Sequence, residues 1–223
     1  MINLIDLILI VDNVISDDES ELLISEFETK KSFKESSRDI DSTKVLKTNA
    51  DFIVLNPKTK THKLVNDKTN IMIGHYKEYI ENLGHFDTHG LISKLGFSHN
   101  YRIIKYGIDQ SFHDHVDKGA SVYGSCSLAL NDDYEGGEYR FFRGGHKIKL
   151  KKGQGMIWPA DYFFVHGVDK ITKGCKYSMN SFLGEVQCVE VPKHLQNAFH
   201  ITQRDQEFYH KSSEESFKRF NNV

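Results

Sequence analysis

Two histidines and one aspartate are the residues of this chain best suited to hold a metal ion. His115 and Asp117 are separated by one residue, and alternate residues of a β-strand point to the same face, so both can bind one ion. A third ligand from a distant strand, His166, would complete a two-histidine, one-carboxylate face, which suits non-haem Fe(II). Such a face leaves three octahedral positions open. Two can take a chelating 2-oxo acid and one can take O2, so the pattern predicts an oxidation.

An H-x-D tripeptide alone is weak evidence, because it occurs often by chance. Here a Gly136-Gly137 turn follows it, His166 lies 49 residues beyond Asp117 (166 − 117), and the cation Lys176 lies 10 residues after His166 (176 − 166). A single histidine in an apolar stretch is more often structural than a ligand, and that alternative stays open for His166 taken by itself. His113 and Asp114 compete with His115 and Asp117 as ligands on the same segment.

The region around these residues has the two-residue period of β-strands. Between 121 and 130 the even positions are mostly apolar and the odd ones mostly small or polar, which favours a strand with one face in the core. Turn signals rich in Gly, Asn and Asp separate a series of such short segments. Many short strands at regular spacing predict a double-sheet jelly roll, also called a double-stranded β-helix. The predicted strands are 101–106, 121–130, 139–142, 147–150, 156–158 and 176–183.

The N-terminal region has a different pattern. The apolar run 7–11 predicts a buried strand on the main sheet, and an S-x-x-E capping box at Ser16 and Glu19 predicts a helix over 17–30. Polar residues 31–50 predict a mobile connection, and apolar spacing predicts a second helix over 66–83. We therefore expect one domain over 1–223, α+β but mainly β, with an N-terminal strand and helices outside the barrel (1–97). The jelly-roll core would span 98–188, and a helical tail 189–223.

Over residues 101–183 the chain resembles the Fe(II)/2-oxoglutarate dioxygenases, in particular the prolyl 4-hydroxylase-like branch with its small bacterial and viral hydroxylases. This resemblance implies that His115, Asp117 and His166 are the catalytic iron ligands. It implies that Lys176 and Ser178 anchor the distal carboxylate of 2-oxoglutarate. The implied cosubstrates are 2-oxoglutarate and O2, with ascorbate a candidate reductant.

Two tyrosines and the substrate pocket complete the residues implied by the resemblance. Tyr106 and Tyr139 would contact 2-oxoglutarate, with a structural role as the alternative for each, and Phe182 and Tyr123 would line the substrate pocket. Prolyl hydroxylases of this branch usually carry Trp where this chain has Phe182, and some carry a substrate-binding Arg where it has Val122. Trp158 is expected in the core rather than as a substrate platform.

Three functions follow as alternatives. The first is hydroxylation of a C–H bond in a proline-containing protein or peptide, releasing succinate and CO2. The second is the same chemistry on a free amino acid or another small molecule. The third is a metal-binding jelly roll without oxygenase activity, or a zinc hydrolase. Lys176 with Ser178 argues against the third, because a hydrolase needs no dicarboxylate anchor.

Composition excludes several other classes. A balance of 29 basic and 31 acidic residues gives a net charge of −2, and no basic surface for nucleic acid is expected. The apolar N-terminal run is too short for a membrane span and lacks the features of a secretory signal. Three cysteines without a C-x-x-C pair indicate free thiols in a reducing compartment. We expect a cytoplasmic protein, monomeric or weakly dimeric, that binds neither nucleic acid nor membrane.

Overall fold

A computed structural model describes residues 3–38, 45–84, 94–95, 97–117 and 122–184. Its helices are α1 (Asp17–Thr29) and α2 (Lys60–Leu83), with 3-10 turns at Leu4–Leu7 and Phe142–Gly144. Its strands are β1 (Leu9–Val11), β2 (Phe33–Arg38), β3 (Val45–Val54), β4 (Phe97–Tyr106), β5 (Phe112–His115), β6 (Gly124–Ala129), β7 (Glu135–Gly136), β8 (Tyr139–Phe141), β9 (His146–Ile148), β10 (Gly155–Pro159), β11 (His166–Val168), β12 (Ile171–Lys173) and β13 (Lys176–Gly184).

Two antiparallel sheets form the body of the described structure. The major sheet has the order β1-β10-β6-β13-β4-β3-β2, and the minor sheet has the order β5-β11-β8-β9. The short strands β12 and β7 form a separate two-stranded sheet. Apart from the consecutive strands β2, β3 and β4 and the pair β8 and β9, neighbours in each sheet are distant in sequence, because the chain passes repeatedly from one sheet to the other. This arrangement confirms the predicted jelly roll with its helices outside.

Strand β6 shows how the sequence period builds two cores. Cys126 and Leu128 face a cluster that includes Leu23 of α1 and Met72 of α2, so they pack the major sheet against the helices. Ala129, on the opposite face, joins a cluster with Phe141 from the minor sheet. The alternation therefore separates a helix-side core from the space between the sheets, where the site lies.

The helices begin and end at residues with identifiable capping interactions. At α1 the Glu19 amide donates to Ser16 Oγ (3.2 Å) and the Ser16 amide donates to Glu19 Oε2 (2.8 Å), so the capping box is present. Helix α2 begins six residues before the predicted start, because Thr59 accepts from the His62 amide. It ends where Gly84 adopts a left-handed conformation (φ 66°), which glycine tolerates.

Where the structure describes residues 31–50, namely 31–38 and 45–50, they are not the mobile connection that their polarity predicted. Strands β2 and β3 lie there, paired with each other, and β3 pairs with β4. Of the two, β2 is the edge strand, and an edge strand needs little apolar sequence to be held by the ladder hydrogen bonds, whereas β3 is paired on both sides. The N-terminal strand is likewise a half-buried edge strand, β1, paired with β10.

The helical tail predicted over 189–223 lies outside the described residues. No helix in the described part of the chain combines the length and apolarity needed to cross a bilayer.

Candidate active site

The two sheets bring His115, Asp117 and His166 together. His115 ends β5, His166 begins β11, and the antiparallel register sets them opposite each other. Asp117 follows β5 by two residues, and one ligand atom from each side chain lies within 4.8 Å of the others. The Asp117 oxygens lie 3.3 Å from His115 Nε2 and 3.3 Å from His166 Nε2. Adjacent ligands of an octahedral ion are separated by about 3 Å, so these positions fit one metal ion.

Backbone carbonyls orient both histidine rings. His115 Nδ1 lies 3.0 Å from the His113 carbonyl oxygen, and His166 Nδ1 lies 3.0 Å from the Phe164 carbonyl oxygen. A carbonyl oxygen only accepts, so each Nδ1 carries the hydrogen and donates it. In the neutral ring the lone pair is then on Nε2, the nitrogen that faces Asp117. Such hydrogen bonds are the usual means of fixing a metal-binding histidine.

Asp117 is held as a carboxylate. Burial raises the pKa of this carboxyl, but the neighbouring His166 and His115 outweigh burial and hold the pKa well below its ordinary value. Ser125 Oγ donates a hydrogen bond to Asp117 Oδ2 at 2.6 Å. A deprotonated carboxylate beside two imidazole Nε2 atoms is a donor set that binds a divalent cation, which would replace any proton that these nitrogens share with the carboxylate.

Aromatic side chains surround the inner histidine. The Trp158 ring meets the His166 ring edge-on, with centroids 5.1 Å apart, and Phe141 stacks against it at 5.6 Å. His166 is buried, whereas His115 and Asp117 are slightly more exposed. Trp158 belongs to the core as expected, yet it also lines the cavity described next.

A cavity of about 300 Å³ opens between the sheets at the three candidate ligands. This is enough for a small ligand, at the lower end for sites that enclose one. Its wall is formed by Arg102, Ile104, Tyr106, Phe112, His115, Val116, Asp117, Ser125, Cys126, Tyr139, Trp158, His166, Val168, Asn180, Ser181 and Phe182.

Lys176 is a buried cation behind this wall. Its Nζ lies 3.7 Å from the centre of the Tyr139 ring and 5.7 Å from that of Tyr106, and it donates to the Gly137 carbonyl oxygen at 2.7 Å. Among the described residues, no carboxylate forms a salt bridge with it. Burial lowers the pKa of the Lys176 ammonium to about 7, although nearby Glu138 opposes the shift.

Ser178 lies two residues beyond Lys176, on the same face of β13. Its hydroxyl is buried near Tyr139 without a hydrogen bond of good geometry to any described residue. The Tyr139 hydroxyl is instead 2.6 Å from Ser127 Oγ, which donates to Asn180 Oδ1 at 3.0 Å. A lone cation and an unused hydroxyl beside a cavity are suited to an acidic ligand.

Three of the four predicted aromatic site residues lie at the cavity and one does not. Phe182, Tyr106 and Tyr139 line the cavity. Tyr123 does not: it lies just before β6, packs against the helix-side core, and has Lys94 over its ring.

Sequence reasoning missed four polar residues of the wall, namely Arg102, Ser125, Asn180 and Ser181. Ser125 had a signal, since it is one of the small polar residues that alternate along β6. Arg102 and Asn180 are register partners on neighbouring strands, and that pairing is not visible in the sequence.

Comparison with known proteins agrees with this geometry. Residues 101–184 match the family model described as the 2OG-Fe(II) oxygenase superfamily. No curated protein matches the chain. Among solved structures, the fold is similar to a viral collagen prolyl hydroxylase from Paramecium Bursaria Chlorella virus-1, solved as a 2OG complex. That likeness has 17% identity and a TM-score of 0.59, and covers 81% of this chain and 97% of the viral one.

Two further structures share the fold. One is a Pseudomonas putida prolyl-4-hydroxylase, with 13% identity, TM-score 0.54, and coverage of 80% of this chain and 92% of that one. The other is a prolyl hydroxylase from Trichoplax adhaerens in complex with a hypoxia inducible factor oxygen degradation domain peptide fragment. It has 9% identity, TM-score 0.60, and coverage of 81% and 84%.

Replacing His166 with Ala should abolish tight binding of one divalent ion, because two ligands remain of three. Titration with Mn(II) or Co(II), followed by calorimetry, measures this. His75→Ala is the control, since His75 is exposed on α2. Unchanged affinity in the His166 variant would exclude this cluster as the metal site.

Proposed function

We propose that this chain is a 2-oxoglutarate-dependent dioxygenase that hydroxylates prolyl residues of a protein or peptide, a proposal supported by the match of residues 101–184 to the family model of the 2OG-Fe(II) oxygenase superfamily. In this proposal His115, Asp117 and His166 hold Fe(II), and Lys176 with Ser178 holds the distal carboxylate of 2-oxoglutarate. Tyr106 and Tyr139 form the wall between these groups.

One observation carries the cosubstrate assignment, namely a buried ammonium, Lys176, that lacks an anionic partner among the described residues. Burying a charge is costly unless it is paired. The Gly137 carbonyl is a neutral acceptor, and a carboxylate would be a stronger one. The unused Ser178 hydroxyl offers a second donor on the same strand face. A dicarboxylate with one end at the metal and the other at Lys176 therefore suits this cavity.

When bound, Fe(II) and 2-oxoglutarate supply the activation of O2 that hydroxylates a substrate C–H bond, with release of succinate and CO2. The residues of the chain bind and orient. The carbonyls of His113 and Phe164 keep each Nε2 directed at the metal position, and Ser125 holds the Asp117 carboxylate. Trp158 and Phe141 exclude water from the His166 side of the cavity.

The prolyl substrate is supported by the outer part of the cavity and by the neighbours. Phe182 offers an apolar aromatic wall for a pyrrolidine ring, although it lacks the indole N–H of the Trp usual in this branch. The Trichoplax protein holds a peptide, and the viral and bacterial proteins are named as prolyl hydroxylases. The Cζ atom of the Arg102 guanidinium lies 5.9 Å from the centre of the Phe182 ring, so Arg102 would bind an acidic group beside the proline.

Three further features of the proposal rest on the resemblance and the composition. Ascorbate would act as a reductant that maintains the iron, the compartment would be the cytoplasm, and the chain would act as a monomer or weak homodimer. Small molecules such as free amino acids remain the alternative substrates.

The proposed function is tested by succinate formation from 2-oxoglutarate with Fe(II) and O2, and by mass spectrometry of the candidate peptide and amino-acid substrates after the reaction. We expect a gain of one oxygen on proline peptides but not on free proline or other free amino acids. Phe182→Ala should raise KM for the peptide about tenfold or more, with 2-oxoglutarate affinity unchanged. No turnover, coupled or uncoupled, together with no binding of 2-oxoglutarate would refute the oxygenase. Oxidation of free amino acids alone would replace the prolyl substrate.

Replacing Lys176 with Met should weaken 2-oxoglutarate binding by at least about 100-fold while metal binding persists. The same change should stabilise the ligand-free protein at neutral pH, because it removes a buried, unpaired charge. Each kcal/mol gained would raise the melting temperature by about 2–4 °C. Calorimetric titration and thermal unfolding measure the two effects. Lys173→Met, which removes an exposed cation three residues away, is the matched control. Unchanged 2-oxoglutarate affinity would contradict the anchor.

Binding of 2-oxoglutarate should depend on pH through Lys176. Its free pKa is about 7 and a bound carboxylate would raise it, so affinity should be constant just below pH 7 and fall as pH rises above 7. The expected slope approaches tenfold per pH unit until the pKa of the complex is reached. Calorimetry of the Mn(II)-loaded protein between pH 7 and 9 measures this. Lys176→Arg should flatten the profile, since arginine stays charged; an equal slope in both would exclude Lys176 as the source.

A further inference from the structure

On the outer face of the minor sheet, the Arg140 side chain extends from β8 across β11 to β5. Arg140 lies on β8 opposite Gly167 of β11, and β11 separates β8 from β5. Arg140 Nη2 donates to the Phe112 carbonyl oxygen at 2.7 Å, and its Nε donates to Asp114 Oδ1 at 2.7 Å. Both acceptors belong to β5, which also carries His115.

The same side chain also contacts the segment that follows β11. Arg140 Nη1 donates to Asp169 Oδ1 at 3.0 Å. Burial raises the pKa of the Asp169 carboxyl, but hydrogen bonds from Lys147 and Arg140 outweigh it and hold the pKa below its ordinary value. Arg140 therefore joins β8, β5 and the end of β11 by three charge-assisted hydrogen bonds, each stronger than a neutral one.

Glycine at 167 lets the guanidinium pass. A Cβ atom there would lie 2.6 Å from Arg140 Nη2, 2.7 Å from the Phe112 carbonyl oxygen and 2.8 Å from Asp114 Oδ1. All three distances are well below ordinary van der Waals contact, and one of the atoms belongs to the backbone. Any other residue at this position would displace Arg140, β5 or both.

The pairing that Arg140 spans is irregular. His166 pairs with His115 and Val168 pairs with Phe112, so β5 uses three steps where β11 uses two. Such an irregularity interrupts the ladder hydrogen bonds locally, and bulges often lie next to active sites. Here the register decides whether His115 and Asp117 meet His166.

We propose that Arg140 is a positioning residue, which crosses β11 at Gly167 and holds β5 in the register that lets His115, Asp117 and His166 share one metal ion. This inference rests on the proposed metal site and goes beyond it, because Arg140 touches neither the ion nor the cosubstrate. Residues that orient metal ligands typically account for about 10- to 100-fold in metal affinity.

The experiment compares Co(II) affinity and the visible Co(II) spectrum in the full chain and four variants. Arg140→Met and Gly167→Ala should each weaken binding about 10- to 100-fold and alter the spectrum, and Arg140→Lys should be intermediate. The matched control is Lys147→Met: it removes a cation 2.7 Å from the same Asp169 but does not reach β5, and should change affinity less than about twofold.

A double variant separates a shared mechanism from two independent defects. Arg140→Met with Gly167→Ala should lose less than the product of the two single losses, because both act on the same contact. The positioning role would be overturned if Arg140→Met kept the wild-type affinity and spectrum. If the Met variant does not fold, the same result in Arg140→Lys would overturn it. Equal losses in Arg140→Met and Lys147→Met would also overturn it in favour of general electrostatics. If the wild type itself binds no Co(II), the proposed metal site fails instead.

Discussion

The pairing of β5 with β11 is the contact on which the site depends, because it places His115 opposite His166 across the minor sheet. Side chains alternate along a strand, so a shift of one residue would turn one histidine to the outer face. The surrounding contacts maintain this pairing from both sides. Aromatic rings pack against His166 within the sheets, and Arg140 braces the outer face through Asp114. The geometry of the candidate metal site is therefore a consequence of strand register.

The cavity contains two buried charges in opposite situations. Asp117 has two imidazoles and a serine hydroxyl around it, so its charge is stabilised before any ion binds. Lys176 has two tyrosine faces and a neutral carbonyl, which leave much of the cost of burial uncompensated. Packing of the rest of the barrel must offset the cost of burying the Lys176 charge. In the proposed function a bound dicarboxylate would relieve it, which links cosubstrate binding to stability.

The prediction of the strands succeeded where apolar and small or polar residues alternate and failed where the sequence is mostly polar. In β6 the alternation of Leu128 with small residues reports the difference between the two cores, and the predicted strand is present. In β2 and β3 the polar composition carried no such signal, and pairing with β4 decided the structure. The resemblance implied that Tyr123 lines the substrate pocket, but Tyr123 precedes β6 and packs against the helix-side core.

The sequence by itself determined which residues could do the chemistry: an H-x-D segment, a distant histidine and a lysine at family spacing, on strands whose period gives a jelly roll. Tertiary structure alone decided that Lys176 has no anionic partner among the described residues, that Arg102 and Asn180 share the cavity wall, and that Gly167 makes room for Arg140. The reason is physical. Periodicity records which face of a strand is buried, whereas charge pairing and close backbone approach depend on which strands become neighbours.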